Sequence, residues 1–132
     1  MTVRVASCRC GQVRVTCTGE PARVSVCHCL DCQRRSGSVF AAQARWPDDH
    51  VVLVGETSAW THTGDSGSRA TFRFCPNCGG AIAYATENMP GVTAIPIGAF
   101  ADPAFPSPEY SVYEGRKHRW VTISGDDIEH FD

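Results

Sequence analysis

The chain has 132 residues, enough for one domain with a modest core and too few for two. Hydrophobic residues make up 42% and charged residues 20%, an ordinary globular balance, and no run approaches the ~18 consecutive apolar residues of a membrane span. The net charge of −2 argues against nucleic acid as the main partner, because phosphate binding draws on an excess of Lys and Arg. The local groups Arg34-Arg35 and Arg116-Lys117-His118-Arg119 read first as solvated charged surface.

In chain order, Val3 and Val5 alternate with polar neighbours, as do Val13, Val15 and Cys17. That period predicts a hairpin with Cys8-Arg9-Cys10-Gly11 at its tip. The opening segment lacks an apolar stretch of signal-peptide length, and the expectation is a cytoplasmic protein. Val24 and Val26 carry the alternation into Cys27, and Leu30 to Ser36 fits a short helical turn before Gly37. Strands are predicted at Val39–Trp46 and Val51–Val54, with a turn at Pro47-Asp48-Asp49 between them. Gly64-Asp65-Ser66-Gly67 links predicted strands Ala59–Thr63 and Ala70–Phe74, and Ala81–Tyr84 is the expected return strand. Met89-Pro90-Gly91 turns the chain into a strand at Val92–Ile97. Asp102 to Pro108 holds three prolines and reads as an extended loop, and Trp120-Val121-Thr122-Ile123 reads as the last strand. The pattern gives a mainly β protein occupying residues 1–132 as a single domain, with little helix.

Eight cysteines are the informative excess, and seven fall in tight groups: Cys8/Cys10, Cys27/Cys29/Cys32 and Cys75/Cys78. Disulfide frameworks spread their cysteines, whereas metal sites bunch them so that a turn of backbone aims two sulfurs at one ion. Cys75-Pro-Asn-Cys-Gly-Gly has the form of a zinc knuckle, and Cys8-Arg-Cys-Gly ends in the same Cys-Gly pair. One knuckle supplies two ligands and a structural zinc site takes four, so Cys8, Cys10, Cys75 and Cys78 are expected to meet on one zinc. Rubredoxin-like iron is the chemical alternative for the same four thiolates.

The middle group offers three thiols within six residues. Three protein ligands and one open position are what catalytic zinc requires, so Cys27, Cys29 and Cys32 are candidate ligands of a second, labile zinc and candidate catalytic residues. A redox dithiol is the competing reading. His28 lies between two inward-pointing cysteines and is expected to face away. Asp31 reads as a turn former, and Cys17 as a packed strand residue rather than a ligand.

These three motifs, in this order, resemble the glutathione-dependent formaldehyde-activating enzyme family, which includes centromere protein V. The matching residues are Cys8-Arg-Cys-Gly, Cys27-His-Cys-Leu-Asp-Cys-Gln-Arg-Arg-Ser-Gly and Phe74-Cys-Pro-Asn-Cys-Gly-Gly, with Tyr110 before Trp120 in the tail. The resemblance implies a β-tent of zinc-stabilised antiparallel sheets. It also implies a structural zinc on Cys8, Cys10, Cys75 and Cys78, and a catalytic zinc on Cys27, Cys29 and Cys32. The implied chemistry is that of a carbon–sulfur lyase, joining glutathione, or another small thiol, to formaldehyde or another aldehyde as in S-hydroxymethylglutathione. A non-catalytic zinc module and a redox or metal-handling protein are the other readings. Glutathione carries two carboxylates, for which Arg34, Arg35, Arg45 and Lys117 are the basic candidates. The chain is short for the family, which leaves less material for a dedicated pocket.

Overall fold

The computed structural model describes residues 1–132. It contains eleven strands and one α-helix, so the expected mainly β architecture is observed. The strands are β1 (Val3–Ser7), β2 (Arg14–Thr18), β3 (Arg23–Cys27), β4 (Ala41–Pro47), β5 (Val51–Val54) and β6 (Ser58–Thr63). They continue as β7 (Arg69–Phe74), β8 (Ala81–Thr86), β9 (Val92–Pro96), β10 (Tyr110–Val112) and β11 (Glu129–His130), and helix α1 (Leu30–Ser36) follows β3.

Two sheets result: a three-stranded sheet ordered β1-β2-β5, and an eight-stranded sheet ordered β11-β10-β3-β4-β9-β8-β7-β6. The predicted first hairpin forms in full, with Val5 opposite Thr16 and Ala6 opposite Val15. Period-two alternation divides the large sheet between two tasks. From β3, β4 and β9 it sends Val24, Ala44, Trp46 and Ile95 to the core, where they meet Ala6, Val15 and Cys17 from the small sheet and Val13 just before β2. The intervening residues Arg23, Ser25, Cys27, Gln43 and Arg45 line a cleft instead. A one-residue slip of either strand would exchange these two sets, so burial of the core also fixes what faces the cleft.

Two expectations are corrected. The large sheet is not wholly antiparallel: β10 runs parallel to both β3 and β11. The proline-containing loop before β10 carries the chain back so that it enters beside β3 in the same direction. Trp120–Ile123, expected as a strand, is irregular. Trp120 is 74% exposed while Val121 is buried, so these residues attach at one point and no strand edge pairs with them.

Candidate functional site

Cys8 and Cys10 sit on the turn joining β1 to β2, and Cys75 and Cys78 on the turn joining β7 to β8. Each turn is closed by a glycine N–H. The Gly11 N–H donates to the Cys8 carbonyl at 3.1 Å, and the Gly79 N–H to the Cys75 carbonyl at 2.8 Å. Each glycine lies in the left-handed region, with φ of 87° and 75°, as the Cys-Gly pairs predicted. Gly80 serves differently: a Cβ there would sit 3.4 Å from both the Cys78 sulfur and the Cys8 Cβ.

The four sulfurs all lie within 4.8 Å of one another. Zinc–sulfur bonds of ~2.3 Å in a tetrahedron put sulfurs about 3.8 Å apart. The Cys8–Cys10 and Cys10–Cys75 sulfur separations are both 3.7 Å. The donor set and its spacing therefore fit a tetrahedral metal ion. N–H groups support the thiolate form: the Val13 N–H lies 3.3 Å from the Cys8 sulfur, and the Gln12 amide donates to Cys75 at 3.2 Å. Burial pushes the Cys75 thiol up, but the Gln12 amide and the Cys78 and Asn77 N–H groups outweigh it and bring it down to about 6.

The second group is built by the end of β3 and the start of α1. Cys29 is the N-cap of α1, its sulfur accepting the Cys32 N–H at 3.3 Å, and Gly37 closes the helix in the left-handed conformation. This geometry brings the Cys27, Cys29 and Cys32 sulfurs within 4.8 Å of one another, a trio that could hold a metal ion. Cys32 is drawn down to about 5 by the Cys27 and Cys29 thiols and the nearby Arg35, against the opposing effect of burial. Cys27 is raised, first by its hydrogen bond with Cys32 and then by burial.

His28 is fully buried and turned away from this trio, with its Nε2 2.9 Å from the Ser111 hydroxyl. Asp31 lies on the cleft but contributes no oxygen to the group. Cys17 is fully buried in the core, and burial lifts its thiol to about 11.

All three cysteines of the second group line a cleft of about 750 Å³ formed on one face of the large sheet. Arg34, Arg35 and Arg45 line it as well, whereas Lys117 does not, correcting that candidate. Arg23 is a fourth cleft arginine that the sequence reading missed, although its i, i+2, i+4 relation to Ser25 and Cys27 on one strand was a usable signal. An aromatic row crosses the opposite wall: Trp60, Phe72 and Tyr84 are register partners on β6, β7 and β8, with ring centroids 6.1 and 5.3 Å apart. Arg35 lies over the Phe72 and Tyr84 rings at 5.1 and 4.7 Å.

With this geometry in hand, comparison with known proteins is decisive. The model of the glutathione-dependent formaldehyde-activating enzyme family matches residues 3–116. The chain belongs to that family. Its fold is also similar to that of a solved Rhodobacter sphaeroides protein, with a TM-score of 0.60 and 20% identity over 75% of this chain and 91% of that one. No curated protein matches. The family is one of formaldehyde activation, and its two cysteine groups here could each hold a metal ion. No helix is long and apolar enough to cross a membrane.

Proposed function

We propose that this protein is a zinc-dependent carbon–sulfur lyase acting on the adduct of a small thiol and an aldehyde, with glutathione and formaldehyde as the family's pair. The observation that carries the reading is the opening of the three-cysteine group onto an arginine-lined cleft. Residues 1–132 act as one zinc-binding domain in the cytoplasm. Cys8, Cys10, Cys75 and Cys78 hold a structural zinc, and Cys27, Cys29 and Cys32 a catalytic one. A zinc ion held by Cys27, Cys29 and Cys32 would supply the Lewis acidity that favours the deprotonated form of a substrate thiol at neutral pH.

The cleft residues have separable tasks. Arg35 lies 3.6 Å from the Cys32 sulfur and stabilises its thiolate. The four arginines draw an acidic thiol into the cleft and orient it, leaving the sulfur beside the cysteine group. In the synthetic direction a bond forms between sulfur and the aldehyde carbon, and the carbonyl electron pair moves to oxygen, which takes a proton from solvent. In the lyase direction that carbon–sulfur bond breaks and the hydroxyl proton is returned. Formaldehyde adds thiols unaided, so the protein's contribution is proximity and orientation.

The redox alternative rests on the closeness of the same three thiols, which lie within 4.8 Å of one another. Metal analysis of anaerobically purified protein, with and without Cys29→Ser, separates the two. Two zinc ions falling to one, together with glutathione binding, support the lyase. One zinc unchanged by the substitution, with no binding of a small thiol, overturns it.

A further inference from the structure

Arg23 on β3 and Arg45 on β4 are directly paired across the antiparallel ladder. Like charges facing each other on neighbouring strands destabilise a sheet, and the cost grows in a partly enclosed cleft. No carboxylate relieves it here. None of the protein's four acid–base contacts involves either residue, and Asp31 is the one acidic side chain on the cleft. Instead each guanidinium is held on a tyrosine. Arg23 stacks over the Tyr110 ring at 4.3 Å, and Arg45 donates to the Tyr84 hydroxyl at 3.2 Å.

The floor between them is polar and incompletely satisfied. Gln43 and Arg45 both donate to the Ser25 hydroxyl, at 2.9 and 3.3 Å. Gln43 is 3% exposed, yet its Oε1 has no partner, and the buried Nε of Arg23 has none either. Buried polar groups are ordinarily paired, and the Arg23 Nε–H is a donor without an acceptor on an arginine that no carboxylate neutralises. A guanidinium offers the parallel N–H donors that the two oxygens of a carboxylate accept.

We propose that Arg23 and Arg45, on the floor set by Ser25 and Gln43, form a carboxylate subsite that makes the cleft selective for extended acidic thiols. The inference rests on the cleft being the thiol site. Arg23 lies four residues from Cys27 on the same strand, a backbone distance of about 13 Å. A carboxylate on the thiol-bearing residue itself is too close to the sulfur to reach the subsite, whereas one separated from it by a further peptide-sized unit spans the gap.

S-methylglutathione tests this, because its blocked sulfur removes the contribution of the cysteine group. Calorimetric titration of the zinc-loaded protein is expected to show binding of S-methylglutathione, with S-methylcysteine at least about tenfold weaker. Arg23→Gln and Arg45→Gln each weaken S-methylglutathione about 10- to 100-fold, as expected for loss of a charge-assisted hydrogen bond. A loss of binding in a variant whose ligand-free melting temperature matches the wild type assigns the effect to the subsite rather than to the fold. Glutathione binding that both variants leave within about twofold overturns the subsite while the thiol reading stands. If neither glutathione nor its S-methyl form binds the wild type, the thiol reading itself fails.

Discussion

The sulfur of Cys10 lies 3.7 Å from that of Cys75, across a sequence separation of 65 residues. The contact ties the turn of the small sheet to a turn of the large one, and both cysteines lie in motifs whose hydrogen-bonded loops exist only when each hairpin is formed. Cys75→Ser should therefore do more than lower affinity for metal. The expected outcome is loss of one zinc per chain and loss of the cooperative thermal transition, since metal binding to such a site is folding free energy. Zinc analysis and calorimetry of the purified variant check it, and a normal melting transition at reduced zinc would contradict it.

Gln12 bridges the metal group to a remote loop. Its amide donates to the Glu56 carbonyl and to the Cys75 sulfur, while its oxygen accepts the Glu56 N–H at 3.1 Å. Gln12→Ala removes all three bonds without touching a ligand. Zinc affinity measured by competition with a chromogenic chelator should fall about 10- to 100-fold, at unchanged stoichiometry.

Cys17 discriminates packing from ligation. It is fully buried beside Val13 and Val15 and outside both cysteine groups. Cys17→Ala should leave the zinc count unchanged and lower stability by about 1 kcal/mol, the cost of a small cavity. A lost zinc ion in this variant would reassign the residue.

Glu114 and His130 provide a pH-dependent test of the parallel edge, their Oε2 and Nδ1 lying 2.7 Å apart. Burial pushes the Glu114 carboxyl up, but hydrogen bonds from His130 and Ser111 outweigh it and leave it below its ordinary value of 4.5. A depressed carboxylate stabilises the fold above its unfolded-state value and loses that contribution as pH falls through the folded one. Relative to Glu114→Gln, the wild type should therefore hold an advantage of about 1 kcal/mol at pH 7 that fades below about pH 4.5. Urea midpoints of both proteins across this range provide the measurement, and a constant difference would refute the assignment.

Local chemistry was legible in the sequence wherever it was complete within a few residues. The stretch Leu30–Ser36, with Gly37 beyond it, reads as a short helical turn, and that is the span of α1. The first hairpin likewise followed from Val3, Val5, Val13 and Val15. Partnership between distant strands was not legible. Trp120–Ile123 has good strand composition but meets no open edge. Tyr110–Val112 is only three residues long and follows a proline-rich stretch, yet β3 recruits it in parallel. The site divides in the same way. Cysteine spacing alone grouped the sulfurs, but the pairing of Arg23 with Arg45 depends on the β3–β4 register. The aromatic wall requires three strands in line.

The order in which the metal ligands are synthesised follows from where the turns fall. Six of the eight cysteines, Cys8 to Cys32, emerge from the ribosome before Cys75. At bacterial to eukaryotic elongation rates, the roughly 40 residues between Cys32 and Cys75 take on the order of 2–9 s to appear. During that interval Cys8 and Cys10 have no second knuckle to join, and they share the nascent chain with three thiols that already sit close in sequence. On the two-site reading, metal supplied during translation meets the first six cysteines before the second knuckle exists. Co-expression with limiting or excess zinc is consequently a variable of yield as well as of occupancy.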